Sequence, residues 1–159
     1  MKSKFILALL FILSLSSTSY AQIFDIEGYA IDDPLTKAQV IQKFGQPDLY
    51  TTCPGIYEGI AERFVYGTNE IILDNGVLTD FVVTDTTMAV CTRKVPGGIK
   101  VGMHASVMDD TVYGPIKSYS YDDSGTTKTV FYVGDYDFRL CFELDENRII
   151  RVIYFSYPV

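Results

Sequence analysis

The chain has 159 residues, with 13 lysines and arginines against 20 aspartates and glutamates, a formal charge of −7 and one histidine. That balance excludes a nucleic-acid or anionic-membrane surface unless the few basic side chains gather on one face, and in the sequence they are scattered. Neutral or basic partners remain allowed.

The first 21 residues read as an export signal. Lys2 and Lys4 make a basic start, residues 5–15 are an apolar run, and Ser19-Tyr20-Ala21 is a small-x-small cleavage site before Gln22. The apolar run is too short to span a bilayer. No cysteine follows the cleavage site, so no lipid anchor is expected and the mature protein is placed in the periplasm or outside the cell. Loss of Lys2 and Lys4 takes the charge from −7 to −9. What remains, 22–159, is enough for one domain or two small packed halves that bury roughly two-thirds of the unfolded surface.

Residues 23–33 alternate apolar and acidic side chains, the pattern of a short edge strand. A helix is expected over 35–47. Thr36 is placed as N-cap with Gln39 closing a capping box, and Leu35 and Val40 occupy the staple positions. Val40, Ile41 and Phe44 form its apolar stripe, and Gly45 and Pro47 end it. Pro54-Gly55 marks 48–59 as a loop. Three strands follow, at 62–66, 70–74 and 77–84, with Asn75-Gly76 as a hairpin turn between the last two.

The stretch 93–98, Arg-Lys-Val-Pro-Gly-Gly, reads as a linker between a first repeat (22–92) and a second (99–159). The second begins with a helix expected within 103–115, where Met108 and Val112 stand one turn apart and Tyr113-Gly114-Pro115 mirrors the earlier stop. Strands are expected at 118–121, 128–133, 137–144 and 148–157. Phe138, Leu140, Phe142 and Leu144 should face a helix, with Arg139, Cys141 and Glu143 on the wetter side. The last strand is apolar on both sides and should be covered on both. The fold class expected is therefore α+β: two tandem helix-plus-antiparallel-meander repeats packed together, with helices on one face of the sheet.

Catalytic constellations are sparse. His104, the single histidine, stands where the second helix starts and reads as a cap, with Ser106 and Asp109 beside it. Cys53 has no adjacent basic residue to activate it. Of the three cysteines, Cys53 and Cys91 bracket the first meander and are the preferred disulfide pair. The acidic stretches Asp122-Asp123-Ser124-Gly125 and Asp135-Tyr136-Asp137 lack calcium-loop spacing and read as turns. No catalytic residue, metal site or cofactor is assigned.

The paired signals, Leu35, Thr36, Val40 and Phe44-Gly45-Gln46-Pro47-Asp48, then Val101-Gly102-Met103 and Tyr113-Gly114-Pro115, resemble those of the SmpA/OmlA-type envelope proteins and the tandem β-lactamase inhibitor protein family. The lipid-bearing cysteine of the envelope lipoproteins is absent here. The resemblance implies a non-catalytic module that offers a sheet face to a protein partner. Tyr119, Tyr121, Tyr132 and Tyr136 cluster in the second half and are the candidate binding residues, set against the plainer reading that they are half-buried strand residues. The alternatives are a small hydrolase or redox protein using Cys53 or His104, and a carrier of a small apolar ligand between helix and sheet.

Overall fold

The computed structural model describes residues 24–55, 59–134 and 138–156; the stretch expected to be an export signal and Tyr136 lie outside them. The chain opens with a small hairpin, β1 (Asp25–Ile26) and β2 (Tyr29–Ala30), followed by helix α1 (Lys37–Phe44). Strands β3 (Leu49–Pro54), β4 (Ile60–Tyr66), β5 (Asn69–Asp74) and β6 (Val77–Val83) form a meander. After a long crossing segment come a 3-10 turn (Ala105–Val107), helix α2 (Asp110–Tyr113), and β7 (Lys117–Asp123), β8 (Thr126–Gly134), β9 (Arg139–Leu144) and β10 (Ile150–Ser156).

The last eight strands make one antiparallel sheet in the order β3-β4-β5-β6-β10-β9-β8-β7. Two four-stranded meanders thus meet edge to edge, and the seam is β6 against β10, where Val83 faces Ile153 and Val82 faces Tyr154. The expected hairpin at Asn75-Gly76 forms with φ of 52° and 75°, the positive pair that a type I′ turn demands. One strand was not expected. Residues 48–59 read as a loop because of Pro54-Gly55, yet β3 pairs with β4 from Leu49 opposite Val65 to Pro54 opposite Ile60. It is an edge strand, exposed along most of its length, so it needs no apolar alternation and tolerates a terminal proline.

The α+β arrangement with helices over one face of the sheet is corrected by the structure. Among the described residues the protein is mostly β, about 50% strand and 12% helical. Helix α1 has its full capping box, with Thr36 N donating to Gln39 Oε1 at 2.8 Å and Gln39 N donating to Thr36 Oγ1 at 3.3 Å. It nevertheless buries only Val40 completely, and Phe44 rests between Tyr29 and Tyr66 with ring centroids 6.2 and 6.0 Å away. The second helix, expected within 103–115, splits in two. Asp109 accepts from Thr111 N at 2.8 Å and starts a fresh turn, while Met108 stays extended at φ −81°, ψ 122°. A cap inside the segment outcompetes continuation of the helix.

What covers the sheet instead is chain without regular structure. Phe24, Ile26, Ile31 and Leu35 from the lead-in, with Met88, Val90, Ile99 and Val101 from the crossing segment, join Phe64, Ile71, Phe81, Phe142 and Ile153 in one buried cluster. These loops satisfy their backbones by pairing with each other and with the sheet. Val90 and Ile99 exchange bonds of 2.9 and 2.8 Å, Asp32 N donates to Leu78 O at 2.9 Å, and Gly102 N donates to Ile150 O at 2.8 Å. The stretch expected to be a linker, 93–98, is the tip of this structure; a Cβ on Gly98 would sit 2.6 Å from Val90 O.

Candidate functional site

Antiparallel register places directly opposed residues on the same face of a sheet. Following the pairs across all eight strands gives one row: Lys117, Tyr132, Cys141, Tyr154, Val82, Glu70, Val65 and Leu49. The next row on the same face is Tyr119, Val130, Glu143 and Val152. This is the face opposite the core, and most of its side chains stay partly or fully open to solvent.

Three of the four tyrosines singled out in the sequence come together here. Tyr119 and Tyr121 are 39% and 40% exposed and Tyr132 is half-buried, with the Tyr119 ring 6.3 Å from Tyr121 and 5.9 Å from Tyr132. The structure adds a member that sequence reasoning missed, Tyr154, whose hydroxyl lies 3.2 Å from that of Tyr119. Tyr154 alternates with buried Ile153 and Phe155, a period-two signal hidden by the equally apolar Val152 beside it. The last strand is therefore covered on one face only, which corrects the expectation of cover on both.

Charged groups frame the rings. The Arg139 guanidinium lies 5.2 Å and the Lys117 ammonium 6.0 Å from the Tyr132 ring centroid. Lys128 Nζ is 2.6 Å from Glu143 Oε1, and Tyr121 donates to the other oxygen of that carboxylate at 3.0 Å. Tyr154 is held firmly neutral, its hydroxyl pushed above the ordinary tyrosine value by burial and by the bond to Tyr119. The hydroxyls of Tyr119, Tyr121 and Tyr154 thus have partners within the fold before anything binds.

Farther along the face, Thr51, Arg63, Ile72 and Asp80 form another row. Arg63 grips Glu70 with both Nε and Nη2. Asp80 Oδ1 has no hydrogen-bond partner among the described residues. Burial raises its carboxyl to about 7, with the Glu70 charge adding to the shift and the Phe81 backbone N–H opposing it. In the unfolded chain an aspartate titrates near ~3.9. Between those values the folded protein holds a proton that the unfolded chain has lost, so this group favours folding fully at low pH and progressively less as the pH rises towards 7. Asp80→Asn should abolish that decline. Urea midpoints of the variant and wild type should lie close together at about pH 4, with the variant ahead at about pH 8; a gap of the same size at both would refute the assignment.

The cysteines do not form the expected pair. All three are free thiols: Cys53 is exposed on the edge strand β3, whereas Cys91 is wholly buried beneath the sheet cover and Cys141 is buried on the open face. An exposed edge and a sealed interior cannot meet without taking the core apart. Cys141 points to the face expected from its strand but is roofed by its neighbours, and burial pushes its thiol up to about 11 against the opposing pull of Tyr154 and Arg139. Titration with a thiol reagent is expected to find one accessible thiol in the native protein and three in denaturant; none in the native protein and a single one in denaturant would restore the Cys53–Cys91 bridge.

His104 Nδ1 accepts from Ser106 N at 3.1 Å and lies 2.9 Å from Ser106 Oγ, the geometry of a cap. It sits beside Ile149 in the second half, while Cys53 is on the outer strand of the first, so the two groups considered for chemistry are not brought together. Among the described residues no three His, Cys, Asp or Glu side chains are grouped to hold a metal. The Asp122–Gly125 stretch closes the β7–β8 hairpin, with Ser124 and Gly125 at φ of 50° and 83°. A cleft of about 530 Å³ at the β8–β9 end is lined by Lys128, Glu143, Asp145 and Arg151, a charged wall and not an apolar one. No family model, curated protein or solved structure matches the chain.

Proposed function

We propose that the protein is an exported, non-catalytic binding module that takes a protein partner on the open face of its sheet. The observation that carries this reading is the cluster Tyr119, Tyr121, Tyr132 and Tyr154, set on β7, β8 and β10 and framed by Arg139 and Lys117. Tyrosine and arginine are the side chains that concentrate binding energy at protein interfaces, because they offer large contact area with few rotatable bonds. Export is supported by the basic, apolar and small-x-small order of residues 1–21. The doubled meander, which the resemblance to the SmpA/OmlA and β-lactamase inhibitor families implies as a binding device, is supported by the mirrored strand order on either side of the β6–β10 seam.

The test is capture of a partner on the immobilised protein, followed by the same measurement with Tyr119→Ala/Tyr132→Ala. Two interface anchors lost together should weaken binding by at least about thirtyfold. A partner held equally well by the double variant would place the site elsewhere, and retention of a metabolite alone would end the protein-binding reading.

A further inference from the structure

Strand β7 ends the eight-strand order, and all seven of its residues are exposed. It pairs with β8 from Lys117 opposite Tyr132 to Asp123 opposite Thr126 without a register shift, so it is straight and carries neither a bulge nor a proline. Edges of this kind are normally blunted, since their outward N–H and C=O groups form a template for another strand. The sequence of β7, Lys-Ser-Tyr-Ser-Tyr-Asp-Asp, has a further property. Laid antiparallel against itself about Ser120, it sets Lys117 opposite Asp123, Ser118 opposite Asp122 and Tyr119 opposite Tyr121. Every opposed pair is complementary. The faces also agree: Lys117, Tyr119, Tyr121 and Asp123 all belong to the open side.

We propose that the protein self-associates through β7, two copies pairing antiparallel about Ser120 so that their two sheets run on as one. The two-fold axis passes between the Ser120 residues, perpendicular to the sheet. It makes two Lys117–Asp123 ion pairs and brings the Tyr119 and Tyr121 rings of one copy against those of the other on the open face. The contact is isologous and therefore closes at a dimer, whereas β7 against the opposite edge would propagate. That opposite edge, β3, carries no charged residue and ends in Pro54, so it offers no such self-complementarity. The inference is independent of the partner reading above, because it rests on the edge and its charges.

Sedimentation equilibrium of the purified protein tests it. The wild type should show a concentration-dependent dimer, modest in affinity because a single strand pairing buries less than a standard interface. Lys117→Glu and Asp123→Lys, both at exposed positions and checked for an unchanged fold by circular dichroism, should each weaken the dimer by about tenfold or more, since each places like charges opposite one another twice. Mixing the two variants in equal amounts should restore dimerisation as a heterodimer, and the double variant should dimerise on its own. A wild type that stays monomeric up to about 1 mM overturns the proposal. So does a dimer that ignores the single reversals, or a mixture that fails to recover.

Discussion

Asp25→Ala is expected to cost about 3–5 kcal/mol in urea denaturation, a large share of the stability of a typical domain. Asp25 is completely buried, and its carboxylate holds two distant segments together. Oδ1 accepts from Gly28 N at 2.9 Å and from both the backbone N–H and the hydroxyl of Thr92, and Oδ2 accepts from Arg93 N at 3.0 Å. Cys91 N donates to the Asp25 backbone oxygen at 2.8 Å as well. The buried charge is thus balanced by oriented N–H and O–H donors, and the Arg93 side chain turns away to Gly28 O and Asp33. Alanine would orphan all four donors beneath the chain that covers them, and each unmet group carries a desolvation penalty. Asparagine keeps one oxygen for Gly28 and Thr92 but points an N–H at the N–H of Arg93, so Asp25→Asn should fall between wild type and alanine. A loss under about 1 kcal/mol for the alanine variant would mean that the apolar contacts of the crossing segment hold it without the clamp.

That clamp also marks what could be read from the residues and what could not. The hairpin at Asn75-Gly76 and the helix start at Thr36 are local signals, each complete within a few residues, and each forms where it was expected; in β9 Leu140, Phe142 and Leu144 are buried as expected, but Phe138 before it is exposed and Cys141 is buried. The cover of the sheet is not local. Asp25 meets Thr92 across 67 positions, and nothing in either neighbourhood announces the other. Helical spacing in the sequence points to helices as the covering layer, while the residues that cover the sheet, among them Phe24, Val90 and Ile99, lie in extended chain whose hydrogen bonds close only after folding. The tyrosine face shows the same division. Alternation puts Tyr119 and Tyr121 on one side of a strand, but bringing in Tyr132 and Tyr154 requires the register of three further strands.

The second large effect should appear at the seam between the meanders. Phe155→Ala is expected to destabilise the protein by about 3–5 kcal/mol, and Phe155→Leu by about 1–1.5. Phe155 is 2% exposed, and its ring lies 5.9 Å from Phe24, 6.4 Å from Phe81 and 6.3 Å from Phe138. It therefore touches the lead-in, the first meander and the second at once. The backbone ladder at this join is short: among the described residues β6 and β10 pair at two positions, against six between β9 and β10. Where the ladder is short, side-chain packing must carry more of the cohesion, and a cavity there cannot be closed by sliding one meander towards the other without breaking those pairs. The neighbouring Tyr154→Ala, on the open face, supplies the comparison: it removes a half-buried ring and one hydroxyl contact and should cost about 1–2 kcal/mol. If the two alanine variants prove equally stable, the aromatic junction is not what fastens the halves, and the lead-in and crossing segment must bind them from outside the sheet.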